Sequence, residues 1–288
     1  MPKILLRICL VFAWLFSAGK VTAQVFWTET FSNGCASLCT VSSYSGGPNG
    51  PWTLSSTGTN DTHANQWYVS GSECGFNAGV CGNGCGTTDP SLHVGNVPSS
   101  PNAFFFCPTG DCGAAYDAGW GTNRVRTSRR AESPIIDCSG RTGIRISFNY
   151  IENGEGSSDN ASLWYFDGST WSQIADMAKS NNSGCSGQGR WTAFSMNLPA
   201  SANNNPNVKI GFNWVNNDNG SGSDPSFAVD DIQLDVLVPN TLLTVSVSPN
   251  RICAGGTATV SFSGTGTLGA GNVYTVQLSD ASGSFASP

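Results

Sequence analysis

The chain has 288 residues, 13 basic against 19 acidic, for a formal net charge of −6. That balance disfavours nucleic acid and anionic membrane as partners. Charged residues are only 11% of the whole, while glycine supplies 35 positions and cysteine 11, the composition of an exported β protein with long polar loops.

Residues 1–23 read as a secretory signal. Lys3 and Arg7 carry the charge, residues 4–16 the apolar stretch, and Val21-Thr-Ala23 a small-residue cleavage site. The apolar run is short for a membrane span and no later stretch is apolar enough, so no membrane insertion is expected after cleavage. The mature chain then keeps 10 basic residues against all 19 acidic ones.

Residues 25–31 alternate as a strand, with Val25, Trp27 and Phe31 on the apolar face and Glu29 among them. Asn60, Asp61 and Asn65 follow in a polar loop rich in side-chain oxygens. Residues 74–121 differ in kind. Their five cysteines, many glycines and few periodic apolar residues predict a disulfide-held insert, within which 104–106 (Phe-Phe-Phe) are a core strand or an exposed contact.

Arg124-Val-Arg-Thr-Ser-Arg-Arg130 reads as a solvated strand face, with an anion-binding patch as the other reading. Regular alternation then predicts strands over 143–150, 161–166, 171–174, 191–198 and 208–214, with a hairpin turn at Asp167-Gly-Ser-Thr170. Glu152, Glu155 and Asp159 are acids in a Gly/Ser-rich stretch that reads as a hairpin loop, not as a glycosidase pair.

Residues 226–237 form the last strand of the large domain, where alternation puts Asp230 on one face with Ala228, Ile232, Leu234 and Val236. A carboxylate turned toward a core is neutralised, paired or bound to metal. Glu29 and Asp230 therefore suggest a structural calcium ion tying first strand to last, with Asp231 as the alternate ligand and Asp61 and Asn65 as added oxygens. Strand ends open to water, or arginine partners, are the other reading.

Pro239-Asn240 marks a boundary, after which 242–247, 257–262 and 272–278 alternate as three strands of an incomplete immunoglobulin-like β-sandwich, too few to close one. The chain is thus expected either to be cut short or to continue. The organisation is a signal over 1–23, an all-β jelly-roll sandwich of two sheets with a Cys-rich insert over 24–237, and the partial module over 238–288.

Of the ten mature cysteines, nine lie in the large domain and Cys253 beyond it. Export makes disulfides the expectation; zinc at the Cys35/Cys39 and Cys81/Cys85 spacings would need reduced thiols, and no histidine lies close. Nine is odd, so one thiol is free, or bonds Cys253 or a part not present.

The motifs Glu29-Thr-Phe31, Asn65-Gln-Trp-Tyr-Val-Ser70, Ser133-Pro-Ile-Ile-Asp-Cys-Ser-Gly140, Trp164-Tyr-Phe-Asp-Gly-Ser-Thr-Trp171 and Ala228-Val-Asp-Asp-Ile232, in that order, resemble the MAM-like and cleaved-adhesin jelly-roll domains of exported Bacteroidota surface proteins. The resemblance implies the same fold, a structural cation held through Glu29 and Asp230 or Asp231, and an adhesive role. Trp164 and Trp171 are candidate sugar-stacking residues, against core packing as the alternative. No nucleophile elbow, H-E-x-x-H run or P-loop is present. The expectation is a secreted or cell-surface module, not an enzyme, that binds an extracellular protein or glycan. The alternative is a carbohydrate-binding module serving an enzyme on the same native polypeptide.

Overall fold

Alternating side chains turn one face of each segment toward a shared core and the other toward water, and two sheets result. The computed structural model describes residues 22–33, 35, 38–71, 89–98, 113–119, 121, 124–180, 190–238, 243–249 and 257–264. Residues Gln24–Val236 form one compact unit. Its strands are β1 (Thr22–Glu29), β2 (Leu38–Thr40), β3 (Thr53–Ser56), β4 (Gln66–Ser70), β5 (Ser91–Gly95), β6 (Thr127–Glu132), β7 (Ile144–Glu152), β8 (Asn160–Phe166), β9 (Trp171–Asp176), β10 (Thr192–Asn197), β11 (Lys209–Asn216) and β12 (Phe227–Val238). Among the described residues the only helical segments are three single 3-10 turns.

One sheet runs β10-β7-β12-β5-β4-β2, with β1 also on β12; the other runs β3-β6-β11-β8-β9. The pairings that join β10, β7, β12, β5, β4 and β2, and those that join β3, β6, β11, β8 and β9, are antiparallel. The fold is therefore an all-β two-sheet sandwich. Ile146, Phe148 and Tyr150 from the first sheet meet Leu163, Tyr165, Ile210 and Phe212 from the second in one buried cluster. Aromatic rings stitch the layers together: Phe212 lies 5.2 Å from Phe148 and 5.6 Å from Phe227. Beyond this unit, β13 (Leu243–Ser248) and β14 (Thr259–Gly264) pair as an antiparallel ribbon. The third expected strand, 272–278, lies outside the described residues, as do residues 1–21 of the expected signal, the phenylalanines at 104–106, Cys253 and the cysteines of 74–112.

Four expectations are corrected. First, the insert expected over 74–121 contains a core strand: β5 is buried along its whole length, between β4 and β12. Second, Val25 is 43% exposed, so the apolar face of β1 does not extend to its start. Third, Arg124–Arg130 is no uniformly solvated face. Arg129 turns inward to donate to the carbonyls of Ala64 and Asn65, and Arg130 is buried.

The fourth concerns Asp230. Asp231 adopts φ 53° in a bulge that breaks the β12–β7 register between Asp230 and Gln233. A bulge inserts one residue and flips the faces beyond it. Phe227 and Val229 therefore enter the core before the bulge, and Ile232 and Leu234 after it. Asp230, opposite Asn149, falls on the other face with Ala228, which packs against Ala114 and Ile151. It does not share a face with Ile232 and Leu234.

Candidate ligand-binding face

The outer face of the five-stranded sheet is set by the register of β6, β11 and β8. Glu132 and Trp164 both stand opposite Gly211, and Arg130 and Ser162 both stand opposite Asn213. Inner neighbours such as Ala131, Leu163 and Phe212 are in the core, so these residues point outward. On the neighbouring hairpin, Trp171 stands opposite Phe166. The hairpin turn is as expected. The Asp167 carboxylate accepts from the amides of Ser169 and Thr170, and these bonds hold its pKa down to about 2.

Trp164 and Trp171 are both part-exposed, and the structure brings them together around one guanidinium. The Arg130 carbon Cζ lies 3.9 Å from the Trp171 ring centre and 5.2 Å from that of Trp164. Arg130 is fixed from behind: its Nε and Nη2 donate to Glu132 Oε1 at 3.1 and 2.9 Å. The space exists because residue 211 is glycine. A Cβ there would lie 2.8 Å from Arg130 Cδ and 2.9 Å from the Trp171 ring. Trp164 Nε1 donates to Ser162 Oγ at 2.9 Å, which orients the second indole, and Phe166 packs 5.3 Å from Trp171. A stacked guanidinium in a partly desolvated site holds its ring by about 0.5–2 kcal/mol. The rings are thereby held in place by contacts within the sheet. Lys209 Nζ, 3.9 Å from Glu132 Oε2, adds a second cation at the edge. Glu132 and Gly211 were not singled out from the sequence, and Arg130 entered only as the end of a basic run read as a solvated face or an anion-binding patch; the signal available was an arginine and a glycine at outward positions of strands flanking an outward tryptophan.

The acids expected to hold calcium are arranged otherwise. Glu29 is 5% exposed, and donors surround its carboxylate. Oε1 accepts from the Phe31 amide and the Tyr44 hydroxyl at 3.0 Å each; Oε2 accepts from Trp52 Nε1 at 3.1 Å and Asn49 Nδ2 at 3.4 Å. Burial, with the charge of Glu29 next, pushes the Tyr44 hydroxyl pKa up, so it remains a donor. The charge of Asp230 also acts on Tyr44, which puts the first and last strands in one electrostatic neighbourhood.

Asp230 Oδ1 accepts from the Asp231 amide, and the exposed Asp231 accepts from Asn149 Nδ2. Asp61 and Asn65 are engaged elsewhere: Asp61 accepts from the Arg126 amide, and the Asn65 side-chain amide spans Asp117 and Asn216. No group of three or more His, Cys, Asp or Glu converges among the described residues. Four donors aimed at Glu29 do not fit a calcium site, which needs bare oxygens turned toward the ion.

Glu152, Glu155 and Asp159 also differ from the loop expected. Glu152 ends β7 and is fully buried, with Oε1 accepting from Lys179 Nζ at 2.8 Å and the Ala161 amide at 2.7 Å. Burial outweighs the lysine and raises the Glu152 pKa to about 7. Asp159, equally buried, accepts from the Tyr116 hydroxyl at 2.6 Å and the Asn217 amide at 3.0 Å. Neither is open to a substrate. Both hold the loops at one end of the sandwich. Cys35 and Cys39 form a disulfide, and Cys138 is a free, buried thiol.

No protein-family model and no curated protein matches the sequence. Among solved structures, the K1 cleaved-adhesin domain of Lys-gingipain from Porphyromonas gingivalis W83 is similar at 13% identity and a TM-score of 0.37, over 72% of this chain and 96% of that one. The CBM22-1 xylan-binding domain of Paenibacillus barcinonensis Xyn10C is similar at 8% identity and a TM-score of 0.35, over 75% and 97%. The likeness to cleaved-adhesin and carbohydrate-binding domains is thus distant.

Proposed function

We propose that the chain is an extracellular saccharide-binding module of adhesive kind, which holds its ligand on the outer face of the five-stranded sheet. The observation that carries this reading is the pair Trp164 and Trp171, ordered about the Arg130 guanidinium yet part-exposed. Indole faces offer apolar area to the C–H faces of sugar rings, while Lys209 and the exposed Gln173 beside them offer hydrogen bonds to hydroxyls. Binding, not turnover, is the role proposed, since the buried carboxylates Glu152 and Asp159 are committed to internal partners. The secretory signal and the Cys35–Cys39 bond support an oxidising, extracellular setting.

The test is a glycan panel that includes xylan, which the Paenibacillus module is described as binding, followed by calorimetry with Trp171→Ala and Trp164→Ala. Truncating one stacking indole is expected to weaken binding by about 1–2 kcal/mol, roughly tenfold, with the unfolding transition intact. Glycan binding unaffected by either substitution would remove this face from the reading.

A further inference from the structure

Further along the same outer face, the strands end in an open recess of about 310 Å³. Its lining includes Thr59, Arg126, Ser128, Ser158, Val215 and Asn217, with one cation, several hydroxyls, an amide and no carboxylate. The register places it. Val215 stands opposite Ser128 on one side and Asn160 on the other, on the outward side with Asn213 and Gly211. The 57–60 loop forms the wall: Thr57 Oγ1 donates to Asn213 Oδ1 at 2.6 Å, and Asn60 Nδ2 donates to the Ser128 carbonyl at 3.0 Å. Arg126 is exposed at its rim.

Val215 is four residues along β11 from Gly211, which faces Trp164, and six from Lys209, which faces Phe166. At about 3.4 Å per residue, roughly 14–20 Å separates the recess from the tryptophan pair. The ground between is outward Arg130 and Asn213. A monosaccharide or disaccharide on the indoles cannot reach the recess. A longer linear chain lying along β11 can.

We propose that the recess is a second subsite of the same binding face, so that the ligand is an internal stretch of a linear oligosaccharide of about four units or more. This rests on the saccharide reading above. The tryptophans grip one end by stacking, and the recess grips the other through Arg126, Asn217 and the hydroxyls of Thr59, Ser128 and Ser158. Recognition is therefore of chain length and linearity, not of a terminal sugar.

The experiment is calorimetry on the oxidised protein with xylan-, cellulose- and polygalacturonate-derived oligosaccharides, from disaccharide to hexasaccharide. In the series that binds, affinity is expected to rise at least tenfold from disaccharide to hexasaccharide. Arg126→Ala and Asn217→Ala each remove one or two hydrogen bonds, expected to weaken the hexasaccharide roughly five- to tenfold and leave the disaccharide unchanged. Trp171→Ala weakens every length. If binding depends on Trp171 but is equal for all lengths, or the hexasaccharide is indifferent to Arg126→Ala and Asn217→Ala, the second subsite is refuted and the platform survives. If no oligosaccharide binds in a Trp171-dependent way, the saccharide reading fails and the subsite with it.

Discussion

Replacing Glu29 by Gln tests whether donors or a cation neutralise the first strand's acid. The carboxylate accepts four bonds, two on each oxygen, from Phe31, Tyr44, Trp52 and Asn49. Gln keeps one acceptor oxygen and turns the other into an NH2 that faces two donors. If the Phe31 and Tyr44 side keeps the oxygen, the Trp52 N–H is left unpaired in a site where Trp52 is 2% exposed. An unsatisfied buried donor costs about 1–3 kcal/mol, and the remaining bonds lose charge assistance worth about 1 kcal/mol each. Relief of burying the charge offsets part of this, leaving a net loss of about 2–3 kcal/mol. For a unit of this size that lowers Tm by roughly 4–12 °C. The assay is thermal unfolding of the oxidised protein, wild type and Glu29→Gln, with EDTA and with millimolar calcium. The expected result is a wild-type midpoint indifferent to both additions and a lower midpoint for the variant. A calcium-induced rise of several degrees in wild type, absent from Glu29→Gln, would refute the donor cage and restore the cation.

Three further outcomes follow from the same geometry. Burial raises the pKa of both Glu152 and Asp224 to about 7, so the folded state holds these protons more tightly than the unfolded chain does. Their contribution is full below the unfolded values near 4 and declines as pH rises toward 7, so Tm should fall across that window; Glu152→Gln should flatten the decline, and a Tm that rises steadily from pH 4 to 7 would contradict it. Gly211→Ala sets a methyl against Arg130 and Trp171, and should lower stability by about 1–3 kcal/mol while weakening saccharide binding; unchanged binding in calorimetry would show that the Arg130 stack does not order the platform. Burial lifts the Cys138 thiol to about 11, so alkylation followed by peptide mass analysis should find Cys138 unmodified in the native protein and modified only after unfolding.

The strands that period-2 alternation marks clearly were legible: β7, β8, β9, β10 and β11 lie within two residues of the predicted spans. In β7 and β11 the apolar residues recur at every second position, Ile144, Ile146, Phe148 and Tyr150 in one and Ile210, Phe212 and Trp214 in the other, so the pattern stands in the sequence itself. β5 was not legible because its alternation is short: only Leu92 and Val94 of Ser91–Gly95 are apolar, and the other three residues are polar or glycine although buried. Its serine and histidine, set among glycines and cysteines, resemble a loop. Arg129 and Arg130 misled for a different reason. Adjacent residues of a strand point to opposite faces, so two neighbouring arginines entered two unlike environments, one donating to loop carbonyls and the other stacked between indoles.

The two acids that drew attention in the sequence show where such reasoning stops. Alternation located Glu29 in a buried place because the chain from β1 to Phe31 packs against the core on that side. The same rule failed at Asp230 through a single residue, Asp231, whose left-handed backbone shifts the phase of the strand. Aspartate is among the few side chains that enter that region, so an Asp-Asp pair inside a strand is a bulge signal as well as a ligand signal. The partners of Glu29 come from positions 31, 44, 49 and 52, where two 3-10 turns and the start of β3 fold back over β1. No periodicity encodes that return. Composition and spacing can say that a buried carboxylate has a counterpart; the folded loop sets a tyrosine, a tryptophan and two amides around this one.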